Sequence, residues 1–104
     1  MTDKKLLELA AKAAGVTRQC WDYDWVRGLG HMVTRNMMWN PLVNDGEALR
    51  LAIETGITID APKDWGFVYA GGQGSFSEPI GDDKMAAVRR AIVRAAADIG
   101  KAMP

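Results

Sequence analysis

Only one cysteine and one histidine occur in the 104 residues, Cys20 and His31. A single thiol excludes an internal disulfide and fits a reducing compartment. A single imidazole leaves little for nucleophilic or metal chemistry. A triad needs a nucleophile beside a histidine base, and a zinc site needs three or four ligands. Cys20 and His31 flank the Gly28 turn and could meet across a hairpin. Nothing marks the thiol as activated, and a buried thiol with an ordinary loop histidine explains both. Asp22 and Asp24 could complete a ligand set only by leaving the wet face of a strand. No catalytic residue, metal or cofactor is therefore assigned. Long apolar runs are missing as well. The leucines after Met1–Lys5 are interrupted by Glu8 and Lys12, and no stretch approaches the roughly 18 apolar residues of a membrane span. The expectation is a cytoplasmic protein with no membrane partner. Net charge is zero, and glycine-rich stretches are short. Gly28-Leu29-Gly30 is followed by neither a third spaced glycine nor a helix start, so it is no dinucleotide loop. Gly71-Gly72-Gln73 matches the tripeptide of peptide-release factors, but a turn between two strands accounts for it.

What remains is the composition of a folded domain, 48% hydrophobic and 25% charged, in a chain long enough for one core without staples. One domain over residues 1–104 is expected. Thr2 or Asp3 caps a first helix to about Ala14, with Leu6, Leu9, Ala10 and Ala13 at helical spacing and Gly15 closing it. Trp21, Tyr23 and Trp25 alternate with Asp22, Asp24 and Val26, the period of a half-buried strand, and His31–Arg35 is a return strand. Asn44 or Asp45 caps a second helix over about Gly46–Thr55. Glu47 stands where a reciprocal capping box wants it, Leu49, Ala52 and Ile53 face inward, and Gly56 stops the helix. Residues 57–60, 66–70 and 75–80 form a strand meander. The last helix follows Asp82 and Asp83. Met85, Val88, Ile92, Ala95, Ala96, Ile99 and Met103 fall on one apolar stripe, and Arg94 can pair with Asp98 one turn on. Helices around short strands imply an α+β fold, a small mostly antiparallel sheet with helices packed on it. With helices on both faces it is an α/β/α sandwich, the arrangement adopted here, and with helices on one face it has two layers.

Two blocks carry a family likeness: Trp39-Asn40-Pro41-Leu42 through Ala48-Leu49-Arg50-Leu51-Ala52 to Gly56, and Arg89-Arg90-Ala91-Ile92-Val93-Arg94 through Ala95-Ala96-Ala97-Asp98-Ile99-Gly100. They resemble the phage ABA sandwich domain, a family of small bacteriophage and prophage proteins. The likeness covers the second and last helices. It implies a phage or prophage origin and helices around a sheet, and it implies no activity.

Two binding surfaces compete. Trp21, Trp25, Met32, Met37, Met38 and Trp39 fall within nineteen residues, and such side chains give large, adaptable contact area. Trp21, Trp25, Met37, Met38 and Trp39 are the candidate protein-binding residues, although small domains also hold such side chains inside. Trp39-Asn40-Pro41 reads as a structural corner, with Pro41 holding the asparagine extended and the tryptophan packing under the next helix. The alternative is phosphate binding by Arg89, Arg90, Arg94 and Lys101. Lys84–Pro104 carries five basic residues against Asp98, a net of +4, and Met1–Asp83 carries eight against twelve acidic ones, a net of −4. The expected role is a non-enzymatic accessory protein in the host cell that binds an unidentified host or phage protein. Nucleic acid is the second partner class, and homo-oligomerisation stays open.

Overall fold

The computed structural model describes residues 2–15, 21–23, 32–34 and 37–104. Among these residues three helices and six short strands follow one another as α1 (Asp3–Ala13), β1 (Trp21–Tyr23), β2 (Met32–Thr34), β3 (Met37–Trp39), α2 (Asp45–Thr55), β4 (Thr58–Asp60), β5 (Phe67–Gly71), β6 (Ser75–Pro79) and α3 (Lys84–Ala102). The strands make two antiparallel meanders, β1-β2-β3 and β4-β5-β6. In the first, Asp22 pairs with Val33 and Val33 with Met38. In the second, Ile59 pairs with Ala70 and Ala70 with Phe76. The fold is α+β, with helices packed on a small antiparallel sheet. The expected β1 is present over Trp21–Tyr23, and Asp24 to Val26 lie outside the described residues, as do Cys20 and His31.

All three helices start on side-chain caps, which supply an acceptor to an otherwise orphaned amide. Thr2 accepts from the Lys5 amide, Asn44 from Glu47 and Asp83 from Ala86. At α2 the expected reciprocal box is half made. The Glu47 carboxylate reaches back past the cap and accepts from the Asn40 amide at 2.6 Å. Gly56 ends α2 at φ 71°, and the Ile57 amide bonds the Ala52 carbonyl at 2.9 Å, the left-handed closure that glycine makes cheaply.

α3 is the centre of the molecule. It packs on α1, on α2 and on one face of the β4-β5-β6 sheet. Ala91, Ile92, Val93, Ala95, Ala96 and Ala97 are all buried, a nearly continuous run that leaves only Arg94 partly exposed. One apolar stripe was expected. The helix is instead covered on several sides through its middle, which its small alanines allow, while Met85 and Met103 at its ends are exposed. Contacts with α1 advance in the same sense along both helices, from Asp3–Arg90 through Leu9–Gly100 to Lys12–Met103, so α1 and α3 run parallel. At Gly100 the two backbones almost touch: a β-carbon there would overlap the Leu9 carbonyl oxygen and lie 2.8 Å from its carbon.

On α2 the buried residues are Ala48, Leu51 and Ala52. Leu49 and Ile53, expected inside, are 55% and 72% exposed. Both phases are apolar in sequence, and the corner preceding the helix selects between them. Arg89 of α3 donates to the Leu42 carbonyl at 2.8 Å and to Asp45 at 2.6 Å, fixing the rotation of α2 so that Leu51 meets the core.

Candidate interaction surface

Trp39, proposed above as a surface anchor, belongs to the core at 7% exposure. The corner it belongs to is fully built. Asn40 is buried, its side-chain oxygen accepts from the Leu42 amide at 2.9 Å, and its carbonyl accepts from Val43 and Asn44. Pro41 is enclosed beside it. Trp39 is held inside because the corner turns the chain directly over it into α2. Trp21, Met37 and Met38 stand in β1 and β3, and their side chains, with the whole of Trp25, lie outside the described residues.

The arginines of α3 point three ways. Arg89, its side chain only 14% exposed, joins Asp45 and lies 3.8 Å from Asp83. Arg90 reaches Asp3 of α1 at 2.9 Å. Arg94 reaches Glu78 of β6 at 2.6 Å and the Ser77 carbonyl at 3.1 Å, with its guanidinium 5.1 Å from the centre of the Phe76 ring. The expected helical pair with Asp98 is replaced by this bond across to the sheet, because Glu78 offers a carboxylate that is itself 14% exposed and so less screened by water. Each arginine ties α3 to a different neighbour. Lys101 is exposed near the end of the helix. Between α1, α3 and β6 runs a groove of about 490 Å³ lined by Leu6, Phe76, Glu78, Arg90, Arg94 and Lys101. Among the described residues every buried side-chain polar atom has a hydrogen-bond partner, and no three of histidine, cysteine, aspartate and glutamate converge as metal ligands. No helix among them is long and apolar enough to cross a membrane.

Among the described residues, exposed aromatics stand on the second sheet and its approach. Trp65, Phe67 and Tyr69 occupy alternate positions through the approach to β5 and the strand itself, and alternation in a strand sends them to one face. Val68 and Ala70 take the other face and are completely buried beneath α3. The outer face is left open, with Trp65 52% and Phe67 48% exposed. The Trp65 and Tyr69 rings stand at 88° with centroids 5.9 Å apart. They border a shallow concavity of about 440 Å³, completed by Thr58, Asp60, Gly71 and Ser75. A second apolar exposure runs along α2 through Val43, Leu49 and Ile53. Trp65 stands apart in sequence from the denser aromatic cluster before it and is not among the candidates named above. The usable signal was the strict alternation of aromatic with small residues from Trp65 to Ala70. It signals a strand with one face too thin to be anything but the side against a helix.

No protein-family model, curated protein or solved structure matches the chain.

Proposed function

We propose that this chain is a non-enzymatic phage or prophage accessory protein that acts in the host cytoplasm by binding another protein through the outer face of the β4-β5-β6 sheet. The row of exposed Trp65 and Phe67 and half-buried Tyr69 carries the reading. Large aromatic side chains dominate the energetics of protein interfaces, because they bury much area while losing few rotamers. The phage origin rests on the resemblance of the Trp39–Gly56 and Arg89–Gly100 blocks. The nucleic-acid alternative is disfavoured by the engagement of Arg89, Arg90 and Arg94 with carboxylates of other elements. A phosphate would have to displace those partners.

The test is affinity purification of the full chain from a bacterial host lysate, beside a Trp65→Ser/Phe67→Ser variant of matched melting temperature. A stoichiometric protein retained by the wild type and lost from the variant is the expected outcome. It should survive Lys101→Gln and elevated salt. Retention by the variant, or a duplex-DNA complex that dissolves as salt is raised, overturns the reading.

A further inference from the structure

We propose that the Trp65–Tyr69 corner is a cation-recognition site that takes a lysine or arginine side chain of the partner protein. This rests on the reading of the outer sheet face as the interface, and it names the chemistry that the face selects.

Two ring planes at right angles, with 5.9 Å between centroids, leave a corner in which a cation can meet π-density from both rings. Trp65 is half exposed, so its ring surface is available. The register places Asp60 directly across from Tyr69 on the neighbouring strand, and the two share the outer face. Asp60 is exposed and lines the same concavity, and among the described residues its carboxylate makes no ion pair or hydrogen bond. It contrasts with Asp3, Asp45, Asp83 and Glu78, each of which is matched to an arginine of α3. The remaining described lining residues, Thr58, Gly71 and Ser75, are uncharged and small, and no basic side chain among the described residues lines the concavity. Ring faces and an unmatched carboxylate are complementary to a cation on an alkyl stem. They are repulsive or indifferent to an anion. The stem of a lysine or arginine would lie along the aromatic walls while its head meets Asp60, the division of labour such side chains adopt on apolar surfaces.

The probes are two short acetylated, amidated peptides, one with lysine flanked by glycine and serine and one with norleucine in place of lysine. Each is titrated against the isotopically labelled full chain at physiological salt, following the Trp65 indole N–H resonance, identified by its loss in Trp65→Leu. The lysine peptide should shift that resonance saturably and bind about fivefold tighter than its norleucine counterpart. Asp60→Asn should weaken the lysine peptide about threefold and leave the norleucine peptide unchanged. The affinity comparison uses the wild type alone, Trp65→Leu serving only to assign the resonance, so a destabilised Asp60→Asn cannot mask the answer. Equal or tighter binding of the norleucine peptide overturns the cation site while leaving a protein-binding face intact. Absence of any shift with the lysine peptide also overturns the cation site, and the sheet-face reading then stands or falls on partner capture alone.

Discussion

Replacing Gly100 with alanine pits a known local gain against a long-range clash. Within a helix, alanine is favoured over glycine by about 1 kcal/mol, and less near an end, where Gly100 lies two residues from Ala102. Against this, the new methyl would overlap the Leu9 carbonyl oxygen, sit 2.8 Å from its carbon and 3.3 Å from the Leu9 α-carbon. All three atoms are backbone, so no side-chain rotation relieves the overlap. α1 must shift as a body and loosen the seam that buries Leu6, Leu7, Ala10 and Ala11. Overpacking costs about 1 to 3 kcal/mol where neighbours can adjust. A rigid helix backbone belongs at the upper end. The net expected loss is about 2 kcal/mol, and for a domain of this size that lowers the melting temperature by about 10 °C. Thermal unfolding followed by circular dichroism measures it. Gly46→Ala is the control, because a β-carbon in the first turn of α2 would meet only Asn44 Oδ1, at 3.4 Å, and its stability should hold or rise slightly. A Gly100→Ala protein melting at or above the wild type would refute the close approach of α1 and α3.

Leu51→Ala should cost about 2 to 5 kcal/mol in urea denaturation, because Leu51 is 1% exposed. Ile53→Ala on the same helix should stay within about 0.5 kcal/mol of the wild type, and a reversal of the two would show that α2 is rotated. Ile92→Ala, at the fully covered middle of α3, should fall in the same range as Leu51→Ala, and an unchanged midpoint would remove Ile92 from the core. Arg89→Gln removes the bonds to Leu42 and Asp45 together and should destabilise by about 1 to 3 kcal/mol. A variant with full stability but reduced affinity for DNA would identify Arg89 as a phosphate ligand rather than a tie between α2 and α3.

Much of the secondary structure was legible because it is locally encoded. Thr2, Asn44 and Asp83 cap the helices that their side chains announce, and Gly56 ends α2 in the conformation glycine permits. Alternation and turn residues likewise marked the meander from β4 to β6. What failed was everything decided by a distant partner. Leu49 and Leu51 are equally apolar, and only the tie from Arg89 to the Leu42–Asp45 corner determines which of them turns inward. The pairing of Arg94 with Glu78 needed β6 to lie beside α3, whereas Asp98 was merely near in sequence. The burial of Trp39 has a related cause. Residue density singled out the segment ending at Trp39, but Trp39 is sealed by the corner that follows it. Trp65 and Phe67 are exposed because the inner side of β5 needs only Val68 and Ala70 against an alanine-rich helix.

The central position of α3 also orders events in time. α1 is made well before α3, and the bonds joining them span 87 and 91 residues. Closing a loop that long costs about 4 kcal/mol of chain entropy, whereas each sheet hairpin closes locally. While the chain is being synthesised, α1, α2 and the inner face of β5 therefore have nothing to pack against, and Leu6, Leu7, Leu51 and Val68 stay open to water and to other chains. Packing must await synthesis of α3 and then occur as one late, cooperative step. A nascent chain should consequently be a chaperone client until α3 has been made, and loss of α3 should leave an aggregating polypeptide rather than a smaller folded one.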